Sequence, residues 1–118
     1  MLTLYGIPNC DTMKKARQWL QQQQLDCHFH DYKKAGIDTA ILQQWVDQLG
    51  WEVLVNRRGI TWRKLPESDR EAINATSAIQ LMQANPSLIK RPVLDTGHQL
   101  LVGFDSVEWQ AALNGRQN

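Results

Sequence analysis

The pattern of apolar and polar residues changes period twice within the first 32 positions. Leu2-Thr3-Leu4-Tyr5 has the two-residue repeat of a strand, closed by Gly6 and Pro8. Met13, Ala16, Trp19 and Leu20 then recur at spacings of three and four, which predicts a helix from about Cys10 into the glutamines at 21–24. Asn9 or Asp11 is the expected N-cap. Cys27-His28-Phe29-His30-Asp31-Tyr32 predicts a second strand. Strand, helix and strand in so short a stretch make a βαβ unit, with parallel strands and a right-handed crossover.

Lys33 to Ile37 reads as a polar loop around Gly36. Asp38 is placed to cap a helix whose buried stripe is Ile41, Leu42, Trp45, Val46 and Leu49, with Gly50 at its C′ position. Trp51 to Leu65 is mixed: Val53-Leu54-Val55 is apolar and Asn56-Arg57-Arg58-Gly59 is a polar turn. Pro66 and Glu67 to Asp69 open a short helix to about Ile73. Thr76 or Ser77 is expected to cap another, carrying Ile79, Leu81 and Met82 and ending before Asn85-Pro86. Val93-Leu94-Asp95 and Leu100-Leu101-Val102 flank a Thr96-Gly97-His98 turn and predict a hairpin. Asp105 to Glu108 has capping-box spacing for a last helix, with Trp109 and Leu113 inward and a tail fraying from Gly115. The fold class is therefore α/β: a βαβ unit and a ββα unit sharing a four-stranded mixed sheet. This is a thioredoxin-like arrangement in one domain over 1–118, with a helical insertion at about 38–85.

Composition narrows the function classes. A chain of 118 residues with 42% apolar and 21% charged positions suits one globular domain and excludes disorder as the main state. No apolar run approaches the roughly 20 residues of a membrane span. The net charge of +1 lacks the basic excess of a polyanion binder, so neither nucleic acid nor membrane is expected as a partner. Two cysteines are too few for a disulfide framework, and Met1 to Gly6 lacks the pattern of a signal peptide. The expected compartment is the reducing cytoplasm.

Cys10 is the sharpest chemical feature. It stands between the first strand and the first helix, at the end of the sheet where α/β folds bind ligands. Free amides and the helix dipole favour an anion there, which acidifies a thiol. Asp11 opposes this and Lys14 and Lys15 support it. Cys27 opens the second strand at the far end of a helix, on the order of 20 Å away at about 1.5 Å per residue. It is read as structural, with no Cys10–Cys27 bridge. Lys90-Arg91-Pro92-Val93 begins the third strand, where thioredoxin-like folds carry a cis proline facing the helix-1 cysteine. Arg91 would then stand beside the thiolate. Arg57 and Arg58 form a fork suited to a carboxylate or oxyanion, with Arg63 and Lys64 adding positive charge. His28 and His30 share a strand face but have no evident third ligand, so no metal is expected. Trp19, Trp45 and Trp109 are expected as core anchors, and Trp51 and Trp62 as weaker candidates to border a cleft.

The run Leu4-Tyr5-Gly6-Ile7-Pro8-Asn9-Cys10-Asp11-Thr12-Met13-Lys14-Lys15-Ala16 resembles the start of the arsenate reductase-like (ArsC/Spx) family, and is most similar to its YffB-type branch. Phe29 to Tyr32, Leu49 to Trp51, Asn56 to Leu65 and Ile89 to Pro92 continue the likeness in family order over nearly the whole chain. The resemblance implies a thioredoxin-like fold with a helical insertion, and a glutathione-dependent thiol-disulfide oxidoreductase. Cys10 would be the nucleophile, Arg91 and Pro92 the Arg-Pro motif, and Arg58 or Arg57 the mid-chain arginine. Asn9 joins them as a ligand-binding candidate. Glutathione or another small thiol is the implied co-substrate, with no tightly bound cofactor, glutaredoxin as a further partner and a monomer as the expected state. Arsenate reductases of the family carry a third arginine after the glycine that follows strand 4. Here Phe104 and Asp105 follow Gly103, so arsenate is not expected as the natural substrate. Spx regulators carry C-x-x-C, which Met13 interrupts. A non-enzymatic Spx-like interaction module and a weak arsenate reductase are the alternatives.

Overall fold

Alternation at the N-terminus builds the central strand. In the computed structural model, which describes residues 2–116, β1 is Leu2–Gly6. Helix α1, Asp11–Gln22, leads to β2, Cys27–Asp31, which lies parallel to β1 with Leu4 opposite Phe29. β3, Val93–Asp95, pairs antiparallel with the other side of β1, and β4, Leu100–Val102, closes the expected hairpin. The sheet order is β2-β1-β3-β4. It is the four-stranded mixed sheet of a thioredoxin-like fold.

One face of that sheet holds the main core. Leu2 and Leu4 meet Leu94 and Leu101 from the hairpin and Met13, Ala16 and Leu20 from α1. The last helix, Ser106–Arg116, adds Trp109 and Leu113. Each large apolar side chain buried there contributes about 1.5–3 kcal/mol. Asp105 caps that helix by accepting hydrogen bonds from the Val107 and Glu108 amides at 2.9 and 3.1 Å. The helix continues to Arg116, past the fraying expected from Gly115; Gln117 and Asn118 lie outside the described residues. Trp45 and Trp109 are buried as anticipated, whereas Trp19 is half-buried at the margin.

The chain divides into two compact units. The sheet unit runs to Tyr32 and resumes at Arg91; Lys33–Lys90 forms a helical unit. Tyr32 does not end the strand, because Tyr32–Ala35 turns into a short helix, α2, where a polar loop was expected. The helical unit contains α3, Thr39–Leu49, α4, Trp51–Leu54, α5, Ile60–Lys64, α6, Glu67–Glu71, and α7, Ala75–Ala84. A 3-10 turn follows at Pro86–Leu88. Gly50 joins α3 to α4 at φ 86°, a conformation that favours glycine. Leu42, Trp45, Val46, Ile79, Met82 and Leu88 are buried within this unit. Its end is tied down by Lys90 N–H to Leu54 C=O at 2.7 Å and Asn56 N–H to Leu88 C=O at 2.8 Å. The cap of α7 is Asn74, not Thr76 or Ser77. Its side chain accepts from the Ser77 amide while the Ser77 hydroxyl accepts from the Asn74 amide, both at 2.9 Å, so Ser77 is the third helical residue of a capping box. Among the described residues no helix is long and apolar enough to cross a membrane.

Candidate active site

The first turn of α1 is pressed against the end of β1. Gly6 permits this: a Cβ there would fall on the Met13 sulfur and within 2.7 Å of its terminal methyl. Met13 is fully buried, which fixes the helix start. Cys10 itself is the N-cap, with extended backbone, and its carbonyl accepts from the Lys14 amide at 3.0 Å. Asn9 and Asp11, the expected caps, are both exposed. Pro8 and Asn9 form the turn that delivers the cysteine, and the helix begins one residue after it.

The half-buried Cys10 thiol is held below its ordinary pKa. Desolvation is the largest single influence and pushes the value up. It is outweighed by the Met13 amide, the Arg91 side chain and the Thr12 amide, which hydrogen-bond toward the sulfur, and by the Arg91 charge. The amides lack the tight geometry of a conventional capping bond, so their effect is that of several N–H dipoles converging on one anion. Arg91 reaches the site because β3 runs antiparallel to β1, which brings the start of β3 to the end of the sheet where β1 finishes. The Arg91–Pro92 peptide is cis. Pro92 is buried, and its carbonyl accepts from the Gly103 amide at 2.8 Å.

Cys27 has the opposite environment. It is half-buried on the core face of β2, unbridged, and burial pushes its pKa up to about 11 against weaker opposing effects of the Leu4 backbone and Arg17. Arg57 and Arg58 belong to the helical unit and are exposed. The Arg57 guanidinium lies 5.5 Å from the Trp51 ring centre. The Arg58 amide donates to the Asn56 side chain at 3.2 Å, and its carbonyl accepts from Arg63 at 3.1 Å. Trp51 and Trp62 are half-buried.

On the sheet face opposite the leucine core, His30 lies 4.9 Å from the Tyr5 ring and 6.0 Å from Tyr32, and His28 is exposed. Among the described residues no group of three or more potential ligands is arranged to hold a metal ion. The tyrosine pair was not anticipated from the pattern. The available signal was Tyr5, which sits out of phase with Leu2 and Leu4 and so had to face the other side. Phe104, after Gly103, packs between Trp19 at 6.2 Å and Trp109 at 4.9 Å, and Trp109 donates to the Gly103 carbonyl at 3.1 Å.

A mixed sheet in this order, with an acidified cysteine capping its first helix, defines a protein of the thioredoxin-like fold. The chain belongs to the ArsC family, whose profile matches residues 5–112. A solved structure of a protein named YFFB is 49% identical, with a TM-score of 0.93 over 96% of this chain and 99% of that one. An arsenate reductase (ArsC) related protein from Brucella melitensis is 51% identical, with a TM-score of 0.75 over 93% and 92% of the two chains. The global transcriptional regulator Spx of Streptococcus pyogenes is 28% identical over 97% of this chain and 86% of its own.

Proposed function

We propose that the protein is a glutathione-dependent thiol-disulfide oxidoreductase working through the single nucleophilic sulfur of Cys10. The observation that supports this best is the convergence of the Thr12 and Met13 amides and the Arg91 guanidinium on that sulfur, strong enough to outweigh its desolvation. The thiolate, not the thiol, attacks disulfides. In the proposed cycle the Cys10 thiolate attacks the glutathione sulfur of a glutathionylated partner. A Cys10–glutathione disulfide forms as the partner's S–S bond breaks, and the partner leaves as its thiolate. A second glutathione thiolate attacks the same glutathione sulfur, releases oxidised glutathione and returns Cys10 as thiolate. The electron pair of the partner's broken S–S bond departs on the partner's sulfur, and the two glutathione units end joined by one disulfide.

An external resolving thiol, glutathione or glutaredoxin, suits a chain whose other cysteine is held protonated in the core. Glutathione is thus a co-substrate, and no bound cofactor is required. Arg91, Pro92 and Asn9 are assigned to the glutathione side of the site. Arg58 or Arg57 is assigned to a ligand carboxylate on the strength of the motif resemblance. The proposed setting is a cytoplasmic monomer.

The test is incubation with oxidised glutathione at neutral pH, followed by intact-mass measurement and peptide mapping. One glutathione on Cys10, removed by reduced glutathione, is expected. No adduct, or a first adduct on Cys27, overturns the proposal. The similarity to Spx regulators along 97% of the chain favours a second reading, a regulatory module whose Cys10 adduct forms but does not turn over. Catalytic reduction of a glutathionylated peptide separates the two.

A further inference from the structure

The thiol chemistry above leaves one buried polar group unused. Tyr32 is 3% exposed, and its hydroxyl is buried with no hydrogen-bond partner. Its ring stacks on Tyr5 at 6.4 Å and meets His30 edge-on at 6.0 Å. Tyr5 stands opposite His30 in β2 and opposite Val93 in β3. Arg91 lies two residues before Val93, so it enters the sheet at the same end as Tyr32 and the Cys10 turn. Burial pushes the Tyr32 phenol well above its ordinary pKa, Tyr5 adds to this, and the Arg91 charge acts in the opposite sense. The group is therefore a neutral hydroxyl within the field of the arginine that serves Cys10. Native folds pair nearly all buried hydroxyls, because an unpaired one is destabilising. One that persists within the field of a working cation points to a second state in which it is paired.

We propose that Tyr32 is a positioning residue for Arg91, its oxygen accepting from the guanidinium when Cys10 passes from thiolate to disulfide. This rests on the reading of Cys10 as the nucleophile. In the reduced protein the anionic sulfur is an acceptor for Arg91. When the S–S bond forms, the negative charge departs on the leaving thiolate, and the sulfur left behind is a neutral, weak acceptor. Arg91 loses that charge-assisted partner, and the phenol oxygen has lone pairs to offer. Turning Arg91 to Tyr32 pairs a hydroxyl that was unpaired and stabilises the disulfide form relative to the thiolate. The guanidinium then returns to the sulfur when the disulfide is resolved.

Tyr32→Phe removes only the oxygen. The experiment caps Cys10 in the wild type and in Tyr32→Phe with methyl methanethiosulfonate, which leaves a Cys10–S–S–methyl group and releases methanesulfinate. Intact mass confirms a single adduct. Urea unfolding is then measured for the reduced and capped forms of both proteins. Reduced Tyr32→Phe is expected to be at least as stable as the wild type, since it loses an unpaired polar atom. Capping is expected to lower the folding equilibrium constant about fivefold more in Tyr32→Phe, the scale of one hydrogen bond to a charged group in a half-exposed site. Equal effects of capping on the two proteins overturn the inference. Oxidised glutathione is run in parallel on the wild type. Failure of glutathione to modify Cys10 sinks the glutathione reading, while the methylthio cycle still decides the role of Tyr32.

Discussion

Arg91→Ala removes a guanidinium that both donates toward the Cys10 sulfur and places a positive charge beside it. Two unit charges about 4 Å apart interact by roughly 1 kcal/mol in water and roughly 4 kcal/mol at an effective dielectric near 20. Both groups here are half-buried, so solvent screening holds the loss to about 1–2 kcal/mol. That is about fivefold to thirtyfold less thiolate at any pH below the titration. The direction is set by what remains: desolvation, the largest influence, opposed only by the Met13 and Thr12 amides. Arg91→Lys restores a point charge but not the planar fork, and is expected to recover only part of the loss. The assay is a pH titration of thiolate ultraviolet absorbance, with Cys10→Ser as the blank for Cys27 and the tyrosines. Iodoacetamide rates should fall less than the thiolate fraction, because a more basic thiolate is also the better nucleophile. Stability follows the same shift. A thiol whose pKa is lowered by folding contributes stability fully above its unfolded value and loses it as pH falls through its folded value. The stability gap between wild type and Arg91→Ala should therefore widen from acid to alkaline pH. If Arg91→Ala titrates like the wild type, Arg91 does not act on the sulfur and the proposed site is wrong.

Three further outcomes are expected. At neutral pH, brief alkylation should label Cys10 alone, with Cys27 following only as pH approaches its value of about 11; earlier labelling of Cys27 refutes the assignment. Gly6→Ala should destabilise the protein by roughly 1–3 kcal/mol, because its Cβ overlaps the buried Met13 thioether, and Met13→Ala in the same chain should recover part of this; an unchanged thermal midpoint counts against the packing argument. Arsenate reduction with glutathione and glutaredoxin should run more than tenfold below that of a three-arginine protein. The Phe104 ring is packed on Trp19 and Trp109 and offers no charge, a loss on the scale of roughly 2–5 kcal/mol; equal turnover refutes it.

Elements with one strong period were legible in the sequence. Leu2 and Leu4, the Met13–Ala16–Leu20 spacing and the Val93–Val102 hairpin all stand where alternation or helical spacing put them. Caps were less legible, because several polar residues compete for one position. Cys10 rather than Asn9 or Asp11 is the N-cap of α1, since the Gly6–Met13 contact fixes where the helix begins. Asn74 outcompetes Thr76 and Ser77 because its side chain and that of Ser77 bond reciprocally. From Trp51 to Lys64 the chain makes two short helices whose apolar residues are too few to show a period, whereas Pro66 and the acidic cluster after it marked the start of the helix at Glu67–Glu71, which ends before the expected Ile73. Within the site, the thiol position and the Arg-Pro pair could be named from sequence. Tyr32 could not, because Tyr5 comes from β1 and Arg91 from just before β3, and only the parallel and antiparallel registers bring both to the end of β2.

The pairing of β1 with β3 also sets an order in time. The ribosome releases Cys10 early, with β1, but Arg91 emerges only after the whole helical unit has been made. Until then β1 has only β2 beside it, and α1, at 12 residues, is too short to be stable without the core that the hairpin and last helix complete. Neither the converging amides nor the guanidinium is in place on an unfinished chain. Cys10 in a nascent or truncated protein is therefore an ordinary thiol, and its acidity appears with the third strand, in the same event that completes the sheet.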